Sequence, residues 1–181
     1  MERSHFVEKA KKPDTYTAQW YVLYTQPRHE KKAEQILRMK GYTTYLPLQT
    51  TLKQWSDRKK KVEIPLFSSY VFIKTELERT HIDILNTPGV VKFVTLGKEI
   101  AKVREEHIDQ IRLLLTQFDE LDVVPSTSLQ LNQKVEIIAG PFTGMKGILM
   151  DHKGTKQFAL EIDGLGTNLI IQIPSNYLKP I

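Results

Sequence analysis

The run Tyr70–Val71–Phe72–Ile73 is apolar at every position, and it constrains the fold of this 181-residue chain more than any other feature. In a strand, successive side chains point to opposite faces, so Tyr70 and Phe72 share one face and Val71 and Ile73 the other. A strand apolar on both faces has to be covered on both. Either it lies centrally in a sheet under helices, or one of its faces is reserved for a partner. WYVLYT, Trp20 to Thr25, is rich in β-branched and aromatic residues and is closed by Pro27, which predicts a buried first strand.

Helices supply the cover. Arg28 to Lys40 has no internal Pro or Gly and is stopped by Gly41. At 100° per residue, Ala33, Ile36 and Leu37 share one arc, while Arg28, Lys31, Lys32 and Arg38 gather on another. Glu34 and Arg38 form an i,i+4 pair worth a few tenths of a kcal/mol, so charge on this helix has a structural use as well. YTTYLPL, TLKQWSD and KVEIPLF then predict short strands, with SDRKKK as the turn between the last two. ERTHIDILN predicts a short helix and GVVKFVTLG a strand. VREEHIDQIRLLLTQF predicts a helix with an Ile108, Ile111, Leu115, Phe118 stripe. The fold class expected is α+β, a mixed sheet with helices ending near residue 118.

Beyond that point the chain changes character. Asp119 to Gln130, DELDVVPSTSLQ, is acidic and then Pro- and Ser/Thr-rich without periodicity, which predicts a linker. From residue 131 only short strands remain (QKVEIIA, KGILMDH, QFALEID and NLIIQIP), separated by glycine-containing turns, the pattern of a small all-β barrel. The expected organisation is a flexible arm at 1–18, a domain at 19–118, a linker at 119–130 and a barrel at 131–181.

The formal charge of +5 is unevenly placed. Residues 1–120 hold 21 Lys/Arg against 16 Asp/Glu, while 121–181 hold 5 of each. Arg28 to Lys61 carries ten cations against three acids, a density that attracts polyanions, nucleic acid first among them. A solubilising face is the plainer alternative. The absence of cysteine rules out disulfides, a thiolate zinc site and a cysteine nucleophile, and fits a cytoplasmic chain. No run of eighteen apolar residues suggests a membrane span, and the N-terminal stretch lacks the apolar core of a secretory signal. His–Asp neighbours in DHKG and HIDIL come without a nucleophile, a phosphate loop or a second carboxylate, so neither catalysis nor a cofactor or metal is expected.

GPFTGMKGIL, Gly140 to Leu149, preceded by QKVEIIA, resembles the KOW motif of small SH3-like barrels. There Gly140, Gly144 and Gly147 supply turn dihedrals closed to bulkier residues, and Phe142 anchors the loop. WYVLYT, PLFSSYVFIK and PGVVKFVTLG, in that order, are similar to the N-terminal (NGN) domain of NusG-type transcription elongation factors. The resemblance covers roughly residues 19–181. PLFSSYVFIK stands where housekeeping members have an FPGYV-like segment, which is closer to the specialised RfaH- and UpxY-like antiterminators, the latter acting on capsular polysaccharide operons.

The resemblance implies function and site residues. RNA polymerase is to be bound through an aromatic concavity built by Tyr24, Phe67, Tyr70 and Phe72, with a contact across the main channel at Thr80 and His81. The His-Thr-Thr pattern of RfaH is not present at those last positions. Phosphates of the non-template DNA strand are to be met by Arg28, Lys31, Lys32 and Arg38, with Gln26 and His29 near bases. Arg58, Lys59, Lys60 and Lys61 add contacts to upstream duplex or nascent RNA. The barrel is expected to recruit a protein such as ribosomal protein S10 or Rho through Gly140, Pro141, Phe142, Thr143 and Gly144, because its neutral charge disfavours RNA. The chain is expected to act as a monomer. Two rival binding readings are a housekeeping elongation factor acting on all operons and a ribosome-associated KOW protein, the second of which predicts a basic barrel.

Overall fold

The computed structural model describes residues 17–54, 59–126, 133–152, 155–162 and 164–181. Most of the expected N-terminal arm and the end of the expected linker lie outside these residues, as does Arg58.

Strand β1, Gln19–Thr25, is the spine of the N-terminal sheet, in the order β2 (Thr43–Tyr45), β5 (Tyr70–Thr75), β1, β6 (Val90–Phe93), with β9 (Lys102–Val103) also on β1, while β7 (Thr95–Leu96) and β8 (Glu99–Ile100) pair with each other between β6 and β9 in the chain. Every pairing is antiparallel, so what is mixed is sheet and helix and not strand direction. The register sets Trp20 opposite Lys74, Val22 opposite Phe72 and Tyr24 opposite Tyr70. The doubly apolar strand β5 is therefore internal, and both its faces are covered.

Helix α3, Glu105–Gln117, closes one face: Ile108, Ile111 and Leu114 are buried against Trp20, Val22 and Phe72. Leu114 thus replaces the expected Leu115 at the centre of the stripe, and Leu115 packs only at its margin. Helices α1 (Glu30–Met39) and α2 (Leu77–Leu85) close the other, where Leu37 and Ile84 join Tyr21, Leu23, Val71, Ile73 and Phe93. Each large apolar side chain so buried contributes about 1.5–3 kcal/mol.

Two boundaries differ from expectation. Helix α1 starts at Glu30, because Arg28 has φ 64 and belongs to the reversal from β1, pinned by the Gln26 N–H to the Gly89 carbonyl at 2.8 Å. Lys59, Lys60 and Lys61 are not in a turn: β3 (Leu48–Gln54) and β4 (Lys59–Pro65) pair as far as Gln54 with Lys59, so the lysines lie on a strand with alternating faces.

The C-terminal sheet is six-stranded, in the order β10 (Asp122–Pro125), β14 (Thr167–Ile171), β13 (Thr155–Ile162), β12 (Lys146–His152), β11 (Lys134–Ile137), β15 (Leu178–Pro180). Alternate residues Val135, Ile137, Phe158, Leu160, Ile162, Leu169 and Ile171 fill its interior. Residues 122–125, read from sequence as linker, pair with β14 because Val123 and Val124 provide strand-forming side chains. Residues 119–121 are held as well, by the Thr50 N–H to the Asp119 carbonyl and the Leu121 N–H to Gln49 Oε1, both at 2.9 Å. Gly147 also has another role than expected. It lies within β12, and a Cβ there would meet Phe158 Cζ at 2.4 Å, so close packing requires the glycine.

Candidate functional site

At the end of the β1–β5 ladder the cover provided by α3 runs out. Tyr24 and Tyr70, paired across the strands, meet edge to face with centroids 5.8 Å apart and interplanar angle 63°. Lys92 on β6 is opposite Tyr24, its Nζ 6.0 Å from that ring's centroid, a cation–π contact. With Val94 and Thr95 they line an open hollow of about 320 Å³. Its floor is a sheet with a filled core, so the rings are held by packing on one side and open to solvent on the other.

Of the four aromatics expected in this concavity, Tyr24 and Tyr70 are half-buried and brought together. Phe67 and Phe72 are 3% and 0% exposed and offer no surface. Phe72 packs against Phe67 at 5.9 Å and Tyr45 at 6.1 Å, beneath α3. Alternation assigned Phe72 to the right face but could not tell that α3, which begins at Glu105, covers that part of it. Thr80 and His81 lie on α2, across the sheet from the hollow. The Thr80 hydroxyl is taken up by Thr75 Oγ1 at 2.8 Å and the Glu76 carbonyl at 3.0 Å, and His81 stacks on Phe93 at 5.2 Å.

The cationic residues fall into two groups, one on α1 and one on β4, where Lys61 Nζ lies 4.0 Å from the Asp119 carboxylate. Lys31 Nζ donates to the Glu63 carbonyl of β4 at 3.0 Å, so α1 and the β3–β4 hairpin flank a groove of about 440 Å³ that Lys31, Gln35, Arg38, Leu48 and Glu63 line. Arg38 is ion-paired with Glu34, as its spacing predicts, yet its side chain stays 69% exposed. Lys32, Lys59, Lys60 and Lys61 are exposed. Arg28 is exposed but off the helix, and Gln26 is exposed beside it. His29 packs on Gly89 and shares a hydrogen bond between its Nδ1 and the Pro27 carbonyl at 3.1 Å.

In the barrel, Gly140 and Gly144 take φ 83 and 87, closing the expected loop, in which Pro141 and Thr143 are exposed. Phe142 is not available: it is 5% exposed and stacks on Phe118, just past α3, at 5.9 Å and 15°. An aromatic anchor of the loop is thus spent on a residue that follows α3.

Arg112 of α3 lies over the Tyr45 ring at 4.9 Å, and burial pushes the Tyr45 hydroxyl up to about 12 despite that cation. At the α1–α2 junction, hydrogen bonds from Tyr42 (2.6 Å) and Lys40 (2.9 Å) hold the Asp83 carboxyl below its ordinary value. Lys74 does the same for Glu105 at 2.6 Å. Among the described residues no group of His, Cys, Asp or Glu could hold a metal ion, and no helix is long and apolar enough to cross a membrane.

Residues that sequence reasoning missed are Lys92 and Val94, which complete the hollow, and Ser69, which carries φ 65 immediately before Tyr70. Strand alternation in GVVKFVTLG places Lys92 opposite in face to buried Phe93, a signal that was legible. Nothing in SSY marks a left-handed serine except its place where FPGYV has glycine.

The comparisons agree with this architecture. The family model described as transcription termination factor nusG matches residues 18–112. The transcription termination/antitermination proteins NusG of Streptococcus pyogenes serotypes M3 and M1 are each 23% identical over 170 residues, covering 88% of this chain and 94% of theirs. A solved structure titled "Domain interaction in Thermotoga maritima NusG" superposes with a TM-score of 0.53 at 18% identity, over 91% of this chain and 97% of that one, and shows the shared fold. With its β1–β5 core, its helices and its trailing all-β sheet, the chain belongs to the NusG family of transcription termination and antitermination factors.

Proposed function

We propose that this protein is an elongation and antitermination factor that binds RNA polymerase through the Tyr24–Tyr70 hollow and suppresses pausing and termination. The observation that carries this is the hollow itself, two open aromatic rings on a rigid sheet with a cation at the rim. Aromatic side chains on a preorganised support dominate interface energies, and they need no chemistry to act. Phe67 and Phe72 serve it from below, as the packing that holds the rings. Across the sheet, Thr80 and His81 reach the opposite wall only by giving up contacts they hold within the chain, the Thr80 hydroxyl its hydrogen bonds and His81 its stacking on Phe93.

The groove between α1 and the hairpin suits a single strand of nucleic acid. Arg28, Lys31, Lys32 and Arg38 meet phosphates of the non-template strand, Gln26 and His29 lie near its bases, and Lys59–Lys61 add contacts to upstream duplex or nascent RNA. Holding polymerase and the displaced strand together opposes pausing. The barrel recruits a protein, ribosomal protein S10 or Rho, and Phe142 has to leave Phe118 before the whole loop is free. The expected setting is the cytoplasm and a specific set of operons, such as those for capsular polysaccharide. Its support is the PLFSSYVFIK segment. A second reading is a housekeeping elongation factor of the NusG kind, the name the streptococcal relatives carry, acting on all operons.

In a purified transcription system, the protein should raise readthrough of a terminator downstream of its own leader, and Tyr70→Ala should abolish the gain while remaining folded. Equal readthrough on templates lacking the leader would select the second reading. No binding to the elongation complex would end both.

A further inference from the structure

A buried carboxylate at the start of α1 takes part in neither surface described above. Glu30 is 6% exposed, and its Oε1 accepts the backbone N–H of Ser69 at 2.7 Å. Ser69 is 9% exposed and has φ 65, a left-handed conformation that a residue with a side chain keeps only where its surroundings impose it. Both of its backbone groups are held: its carbonyl accepts the Thr25 N–H at 2.8 Å, next to Tyr24, and its N–H is held by Glu30. The following residue is Tyr70, whose N–H closes the turn onto the Phe67 carbonyl at 3.3 Å and whose ring meets Tyr24. The backbone that aims one ring of the hollow is thus fixed by β1 on one side and by a side chain of α1 on the other. Both residues are buried, so removing the carboxylate leaves the Ser69 N–H without its acceptor.

We propose that Glu30 is a positioning residue for the aromatic hollow: it locks Ser69 in the left-handed conformation and thereby sets Tyr70 against Tyr24 in the arrangement polymerase meets. The proposal rests on the polymerase-binding reading of that hollow. An acidic residue in the first turn of a helix also complements the helix dipole, and the two roles separate by chemistry. Locking Ser69 needs an acceptor oxygen, which glutamine retains; the dipole needs charge, which glutamine lacks.

The test uses the full chain with Glu30→Gln, Glu30→Ala, Ser69→Gly and the Glu30→Ala/Ser69→Gly pair. Tyrosine-labelled NMR follows the Tyr24–Tyr70 ring contact, and titration of a polymerase elongation complex gives affinity. Glu30→Ala should lose the ring contact and about tenfold in affinity, Glu30→Gln should stay within about twofold of wild type, and adding Ser69→Gly to Glu30→Ala should restore most of the loss, since glycine enters the left-handed conformation without the steric cost that serine has to be held against. Glu30→Gln as weak as Glu30→Ala, or a ring contact unchanged in Glu30→Ala, overturns the proposal. If Glu30→Ala does not fold, the double variant decides: folded with the ring contact is the expected result, and unfolded overturns it. If Glu30→Ala breaks the ring contact while neither it nor Tyr70→Ala weakens polymerase binding, the locking of Ser69 stands and the reading of the hollow as the polymerase contact falls.

Discussion

Phe72→Ala should strongly destabilise the N-terminal sheet before it reveals anything about a partner. The side chain is 0% exposed, lies opposite Val22 in the ladder, and has Phe67 and Tyr45 as ring neighbours at 5.9 and 6.1 Å under α3. Truncating a buried phenylalanine costs about 3–5 kcal/mol, and two lost aromatic pairs place this one toward the upper end. With a urea dependence of about 2 kcal/mol per molar, a loss of about 4 kcal/mol moves the midpoint down by about 2 M. Tyr70→Ala, one strand position pair away, removes a half-buried ring with a single edge-to-face partner and should cost only about 1–2 kcal/mol. Urea titration followed by tryptophan fluorescence measures both, because Trp20 is 2% exposed in the same core. A Phe72→Ala protein within about 1 kcal/mol of wild type that no longer binds polymerase would refute the assignment of Phe72 to the core.

Other predictions follow from the same geometry. Gly147→Ala should disrupt the C-terminal sheet by at least about 1–3 kcal/mol, because its methyl would lie 2.4 Å from Phe158 and 2.5 Å from the Ala159 carbonyl; unchanged barrel amide shifts by NMR would contradict the contact. Lys31→Glu with Lys32→Glu should lower affinity for single-stranded DNA and flatten its salt dependence, and an unchanged slope removes α1 from the nucleic-acid groove. Asp83 has its carboxyl lowered from 3.8 in the folded state, so its stabilising effect is complete above that value and is lost as pH falls through the lower one. The melting temperatures of wild type and Asp83→Asn should therefore differ at neutral pH and converge in acid, whereas a gap constant with pH would exclude the Tyr42–Asp83–Lys40 contact as its source.

How far the sequence disclosed this molecule depended on whether the determining contact was local. The doubly apolar Tyr70–Ile73 run demanded cover on both faces, and α1, α2 and α3 provide it. The Glu34–Arg38 pair and the glycine-bearing barrel loop were equally readable, being settled within a few residues. What depended on distant elements was not readable. Phe72 and Tyr70 share a face and a chemistry, yet Phe72 is buried in the cluster with α3 while Tyr70 stays half-buried at its margin. Residues 122–125 lack any helical or strand period beyond two valines, yet β14 recruits them. Lys59–Lys61 read as a turn because three cations in a row resist burial, but a two-stranded hairpin exposes them without ending the strand. In the site, the left-handed Ser69 and its Glu30 partner are 39 positions apart, a separation that no local pattern spans.

The central claim, that the protein acts by holding polymerase through an open aromatic hollow, is tested most directly by binding to a purified elongation complex with terminator readthrough measured in the same samples. Wild type should bind and raise readthrough, and Tyr70→Ala, folded by the urea criterion, should lose both together. A Tyr70→Ala protein that binds and reads through as wild type does would contradict the account.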